Sequence, residues 1–283
     1  MDDKTIHARE VSLGKRFRFG SNWRKFLASL NDERIKFAED SLKKMLELQS
    51  LAGKSFVDVG SGSGLFSLAA RRLGARVHSF DFDTQSFECT KELKRRFFQD
   101  DPDWTVAQGS ALDENYLKTL GKFDIVYSWG VLHHTGRMWE ALDKVSELAG
   151  ENGKFFVSIY NDQGIASRFW TAVKKIYNRS PKLIKFLMVA SVWGFWESRA
   201  ALARCLRFEN PLPFKAWKEL SNQRGMSIWY DMVDWVGGYP FEVARPEQIF
   251  DFYRSRGFIL TKLKTCGGSH GCNEFVFLKS QSR

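Results

Sequence analysis

The sequence predicts an α/β fold: a seven-stranded, mostly parallel sheet with helices on both faces and an antiparallel last strand. Three observations carry that prediction. Short apolar, β-branched runs alternate with helix-periodic segments from Ser55 onward. A glycine-rich run, Gly60-Ser61-Gly62-Ser63-Gly64, joins the first such strand to the next helix. The chain then ends in two strand-like runs around a Gly-rich turn, close enough in sequence to form a hairpin.

Taken in order, residues 22–50 read as helix. Phe26, Leu27, Leu30, Phe37, Leu42, Met45 and Leu46 recur at three- and four-residue steps, and Asn31-Asp32-Glu33 supplies a break with a new cap. Ser55–Val59 is the first strand, and Leu65–Leu73 a helix stopped by Gly74. Arg76–Phe80 is a strand, Ser86–Phe98 a helix and Trp104–Gln108 a strand. Phe123–Ser128, continuously apolar, suits a buried parallel strand. Met138–Ala149 is a helix, Glu151-Asn152-Gly153 a turn and Lys154–Tyr160 the fifth strand. Pro246–Arg256 is a helix with proline in its first turn. Phe258–Lys264 and Asn273–Lys279 are the closing strands.

Residues 162–240 interrupt the alternation. They carry Phe169, Trp170, Trp193, Phe195, Trp196, Trp217, Trp229, Tyr230 and Trp235, and leave the sheet after its fifth strand. Ligands of open α/β sheets bind outside the C-terminal strand ends. The expected organisation is therefore an N-terminal helical cap (1–54), a core (55–161 and 241–283) and a helical, aromatic-rich lid (162–240).

The formal net charge is +10, concentrated at +4 in residues 1–54 and +7 in residues 163–240, with the remainder near neutral. Solvated helical faces, or an anionic acceptor, RNA or a membrane surface nearby, are the readings of that excess. The segment from Lys174-Lys175 to Trp196 mixes basic and apolar residues, which suits peripheral membrane contact. No apolar stretch is long enough to span a bilayer, and no signal-peptide pattern is present. Cys89, Cys205, Cys266 and Cys272 show no zinc spacing, so no metal is expected; they read as reduced thiols of a cytoplasmic protein.

The chemistry concentrates in Val57-Asp58-Val59-Gly60-Ser61-Gly62-Ser63-Gly64. A dinucleotide fingerprint would place its third glycine at position 65, which is leucine here. The loop also opens on Asp58. A carboxylate repels a pyrophosphate but attracts an ammonium group. The implied ligand is a nucleoside with a cationic tail, which describes S-adenosylmethionine. Asp81 ends the second strand, 17 residues after Gly64, where an acid can accept ribose hydroxyls. Phe82 can pack on the adenine. Gly109-Ser110-Ala111-Leu112-Asp113 follows the third strand, and Ser128-Trp129-Gly130-Val131-Leu132-His133-His134 the fourth.

Together, VDVGSGSG (57–64), SFDFD (79–83), GSALD (109–113) and FDIVYSWGVLHH (123–134) resemble class I, Rossmann-like S-adenosylmethionine-dependent methyltransferases of the quinone-methyltransferase-like branch. By that resemblance, Asp58, Gly60, Ser61, Gly62 and Gly64 surround the methionine moiety. Asp81 holds the ribose, Ser110 and Ala111 flank the adenine, and Ser128 and Trp129 are counted with the cofactor-binding residues; Trp129 suits the sulfonium pocket through cation–π attraction. The family commonly has aspartate where this chain has Ser110.

The slot after the fourth strand lacks the (Asn/Asp)-Pro-Pro-aromatic motif of adenine amino-methylation, and no Pro-Cys step suits attack on cytosine. Small-molecule methylation, chiefly at oxygen, is the expected activity, on a phenol or quinone, a sugar or a secondary metabolite. RNA methylation and non-catalytic cofactor binding are the alternatives; no RNA-binding module is recognisable. The candidate bases are His133, His134, Tyr160 and Asp162, followed by Tyr239, Glu242 and His270.

Overall fold

The computed structural model describes residues 3–20, 23, 27, 30–210, 212, 213, 217, 228–268 and 271–280. Seven strands form one sheet: β1 (Ser55–Val59), β2 (Arg76–Asp81), β3 (Trp104–Gln108), β4 (Phe123–Trp129), β5 (Ala149–Tyr160), β6 (Phe258–Lys264) and β7 (Cys272–Lys279). Their order is β3-β2-β1-β4-β5-β7-β6, with β7 antiparallel to both neighbours and the remaining pairs parallel. The chain winds outward from β1 to β3, then returns to place β4 on the other side of β1. That reversal opens a crevice above the C-terminal ends of β1 and β4.

Described helices are α1 (Asp3–Ser12), α2 (Asp32–Leu46), α3 (Leu65–Arg72), α4 (Thr84–Phe97), α5 (Glu114–Leu120), α6 (Met138–Ser146), α7 (Ile165–Arg179), α8 (Lys182–Leu206), α9 (Ile228–Gly237) and α10 (Pro246–Arg254), with a 3₁₀ turn at Leu132–His134. Side chains start several of them. Asn31 accepts the Arg34 amide at α2, Asp83 the Gln85 and Ser86 amides at α4, and Asp113 the Tyr116 amide at α5. The Asp83 cap explains why α4 begins at Thr84 rather than Ser86. The sequence reading omitted α5, although Asp113 is its signal.

The expected turn at Glu151–Gly153 lies inside β5. Phe123 pairs with Ala149 and Ile125 with Lys154, so β5 bulges by three residues there, with Asn152 at φ 58. The helix before it accordingly stops at Ser146. Most of residues 21–29, including Phe26, lies outside the described residues.

Two apolar layers sandwich the sheet. One packs Leu42, Leu46, Leu68, Leu93 and Trp104 of α2–α4 and β3 against Phe56. The other packs Leu142, Val145, Ile249 and Tyr253 of α6 and α10 against Val57, Val126 and Phe155. A third cluster, separate from the sheet, joins Phe17 to Tyr177, Val189, Met232 and Val236 of α7–α9. Helices α7–α9 thus have their own small core, shared with Phe17 of the N-terminal segment. Among the described residues, no helix is long and apolar enough to cross a membrane.

Candidate functional site

A cleft of about 1340 Å³ opens at the sheet crevice and runs beneath α7–α9. Its floor is the glycine loop. The amides of Gly60 and Ser61 both donate to the Phe80 carbonyl, at 2.9 and 3.1 Å, which ties the loop to the end of β2. Gly60 has φ 77, and a Cβ there would lie 2.3 Å from Val131; only glycine lets the turn approach the loop after β4. A Cβ on Gly62 would stand 3.0 Å from the Trp23 ring, so Trp23 closes over the loop from the N-terminal side.

Two acids face this floor. Asp81 accepts the Gly62 amide and the Asp83 amide, each at 2.9 Å, one on each carboxylate oxygen. Asp58 is 2% exposed and ends a one-way relay: Trp104 Nε1 donates to Ser79 Oγ, Ser79 to Ser67 Oγ, and Ser67 to Asp58 Oδ2, at 2.9, 2.7 and 2.5 Å. Burial pushes both carboxyls up to about 7, against the hydrogen bonds that favour their ions. A cationic ligand carrying hydroxyl donors would relieve both acids.

The remaining expected positions separate into those the cleft exposes and those it does not. Phe82, Ser110, Ala111, Trp129, His134 and Tyr160 line it, as do Ser61 and Gly62. Ser110 Oγ accepts the Leu112 amide at 3.1 Å, which leaves its hydroxyl proton to donate. Trp129 is 45% exposed at the end of β4.

Four positions do not line the cleft. Gly64 is the N-cap of α3, and a Cβ on it would lie 3.0 Å from Thr90; its glycine serves helix packing. Ser128 is fully buried and donates to the Val59 carbonyl at 3.1 Å, because strand alternation turns it beneath the cleft while Trp129 faces in. His133 is fully buried in the 3₁₀ turn, its ring against the Ser158 backbone, and burial holds it neutral. Asp162 accepts the Gly164 amide at 2.8 Å; the chain has left β5 there, and its carboxylate closes the turn that leads into α7. Of the lesser candidates, Tyr239 lines the cleft. Glu242 accepts the Met138 amide and so caps α6. His270 lies outside the described residues.

His134 differs from its neighbour. Its Nδ1 lies 2.6 Å from the Pro240 carbonyl, which can only accept, so the proton sits on Nδ1 and Nε2 carries the lone pair. Burial lowers its pKa to about 3, with Lys174 and Arg16 adding repulsion. The imidazole is neutral throughout the physiological range, suited to receiving a hydrogen bond.

Sequence reasoning missed several wall residues. Arg16 donates to the His134 and Thr135 carbonyls at 2.8 and 3.2 Å, bracing that turn. Lys175 and Arg179, one turn apart on α7, reach the cleft, and neither has an ion pair among the described residues. Gly14 sets Lys15 beside them: a Cβ on Gly14 would stand 3.3 Å from the Arg179 Cα. Trp196, Trp235 and Tyr239 complete that end. The basic and aromatic content of 162–240 was a visible signal; which members point inward was not.

A methyltransferase-domain family model matches residues 30–219. The chain belongs to this family of class I, S-adenosylmethionine-dependent methyltransferases. Over 140 residues it is 27% identical to a ubiquinone biosynthesis O-methyltransferase of Pelagibacter ubique, covering 48% of this chain and 55% of that one. A 47-residue stretch is 53% identical to the ribosomal protein L11 methyltransferase of Alteromonas mediterranea, covering 16% of each. The chain thus spans about half the length, or less, of these curated relatives. In solved structures, the fold is similar to magnesium protoporphyrin IX methyltransferase of Synechocystis PCC 6803 with bound S-adenosylhomocysteine. The TM-score is 0.57 at 14% identity, covering 98% of this chain and all of that one. The residues of this chain fit the family's cofactor: a loop on which side chains would clash, an acid at the end of β2, and a second buried acid beside the loop.

Proposed function

We propose that this methyltransferase transfers the methyl group of S-adenosylmethionine to an oxygen of a small, anionic, aromatic acceptor such as a phenol or quinol bearing an acidic group. One observation carries the reading: the cleft continues from the glycine loop to a wall of Trp196, Trp235 and Tyr239 beside Lys175 and Arg179. When bound, the cofactor supplies a sulfonium-activated methyl group. Asp81 and Asp58 hold the ribose and ammonium ends. The aromatic wall excludes water and orients the acceptor ring. Lys175 and Arg179 hold the acceptor's acidic group. His134 Nε2 accepts a hydrogen bond from the acceptor hydroxyl; as a weak base it acts best on an oxygen already acidic, as a phenol's is.

The test is transfer of labelled methyl from S-adenosylmethionine to a panel of carboxylated phenols and quinols, neutral phenols, sugars and RNA, read by mass spectrometry of the products. Turnover highest on the acidic phenols is expected. Turnover confined to RNA or neutral sugars would overturn it.

A further inference from the structure

Helix α8 is out of balance with its surroundings. It runs for 25 residues, about 37 Å, and is apolar in composition, yet Val189 alone of its residues is buried. Its inner side is explained: Met188, Val192, Trp193 and Trp196 pack towards α9. The outer side is not. Leu183, Leu187, Phe195, Leu202 and Leu206 recur at roughly helical spacing and are 68, 49, 59, 62 and 74% exposed. Phe208, just past the helix, is fully exposed. Ile165 and Phe169, on the neighbouring helix α7, are exposed as well, at 83 and 62%. An apolar surface of this size on a soluble domain marks a docking face.

Charge identifies the occupant. Residues 163–208 hold nine lysines and arginines against one acid, Glu197; Lys174 is buried and Lys175 and Arg179 line the cleft, which leaves six cations elsewhere on α7 and α8. That acid is spent on Arg204, at 2.5 Å. Arg168 on α7, and Lys182, Arg199 and Arg207 along the flank and ends of α8, are exposed, within reach of headgroups when the apolar side lies against a bilayer. A second copy of the chain would bring the same positive excess against itself, which disfavours a symmetric dimer through this face. A nucleic acid would answer the charge but leave the leucines and phenylalanines in water. An anionic bilayer answers both, since headgroups meet the cations and the acyl boundary receives the apolar side chains.

We propose that the outer face of α8, with the start of α7, is a peripheral docking surface for anionic lipid bilayers. The helix lies in the interface plane and does not span. The surface is on the side of α8 away from the cleft wall formed by Trp196, so this inference does not depend on which acceptor is methylated.

The test is co-sedimentation of the full chain with vesicles of phosphatidylcholine alone or with added phosphatidylglycerol, across a salt titration. The wild type should sediment with the anionic vesicles, remain free of the neutral ones, and be released as salt rises. The double variant Leu187→Asp/Phe195→Asp and the triple variant Lys182→Gln/Arg199→Gln/Arg207→Gln should each bind at least about tenfold more weakly, with S-adenosylhomocysteine affinity unchanged as the control for folding. Absence of wild-type sedimentation at low salt would overturn the proposal. So would undiminished vesicle binding by the double variant, or a dimer in sedimentation velocity that the double variant dissolves while vesicles compete poorly with it. Should a variant fail to fold, the wild-type contrast between neutral and anionic vesicles still decides.

Discussion

Asp81 accepts the backbone amide of Gly62 at 2.9 Å, so the acid at the end of β2, proposed above to hold the ribose, also holds the tip of the glycine loop. Its other oxygen holds the Asp83 amide at 2.9 Å. Replacing it removes two loop restraints and the ribose acceptor together. Asp81→Ala is expected to weaken S-adenosylhomocysteine binding at least tenfold, about 1.4 kcal/mol or more, in a protein that remains folded by circular dichroism. Unchanged affinity by calorimetry would refute the assignment.

Cofactor affinity should depend on pH with a definite sign. Burial raises Asp58 and Asp81 to about 7 in the free protein, whereas ligand ammonium and hydroxyl groups favour the carboxylates. Affinity is therefore full above about pH 7 and falls as pH drops, by up to about tenfold per unit for each group. Titration calorimetry in buffers of different ionisation enthalpy should show proton release on binding near pH 6. Proton uptake there would contradict the placement of both acids.

Gly60→Ala should destabilise the fold by about 1–3 kcal/mol, since it combines a left-handed φ of 77 with a Cβ 2.3 Å from Val131. Adding Val131→Ala relieves the contact but not the backbone strain. The double variant should regain part of the loss in thermal melts. Complete recovery would show that φ costs nothing there; no recovery would show that Val131 is not the obstacle.

The adjacent histidines should behave oppositely. His134→Ala is expected to lower kcat by roughly 10²-fold or more while leaving cofactor affinity intact. With the His134 pKa near 3, the activity of the wild type should show no acid limb from this residue above pH 5. His133→Leu replaces a buried neutral ring that does not line the cleft with an apolar side chain, so the protein should stay folded with activity retained. Equal losses of turnover in both variants would place His133 in the reaction after all.

Lys175→Ala/Arg179→Ala should raise KM for acidic acceptors about tenfold, leave neutral phenols unaffected, and leave S-adenosylhomocysteine affinity unchanged. Equal effects on charged and neutral acceptors would mean that these cations do not read acceptor charge.

Local rules were enough to find the sheet, the glycine loop and the acid at the end of β2. Strand and helix periods are written in adjacent residues, and a loop that must turn with positive φ leaves its glycines in view. Asp81 is legible because it is the last residue of its strand, where the chain turns out of the sheet. The same reading set His133 beside His134 and Ser128 beside Trp129 as equals. The fold separated each pair: strand alternation buries Ser128 and the 3₁₀ turn buries His133, while their neighbours face the cleft. It also spent Asp162 on a turn and Gly64 on helix packing. Residues far apart in the chain supplied what local reading could not. Trp23 closes the loop, Arg16 braces the His134 turn, and Lys175 and Arg179 enter the cleft from a helix more than a hundred residues after the loop. Sequence by itself determined which elements form and what chemistry the loop can hold, because those depend on neighbours in the chain. Tertiary structure alone decided which side chains meet the ligand, because direction and burial depend on the packing of segments that the chain keeps apart.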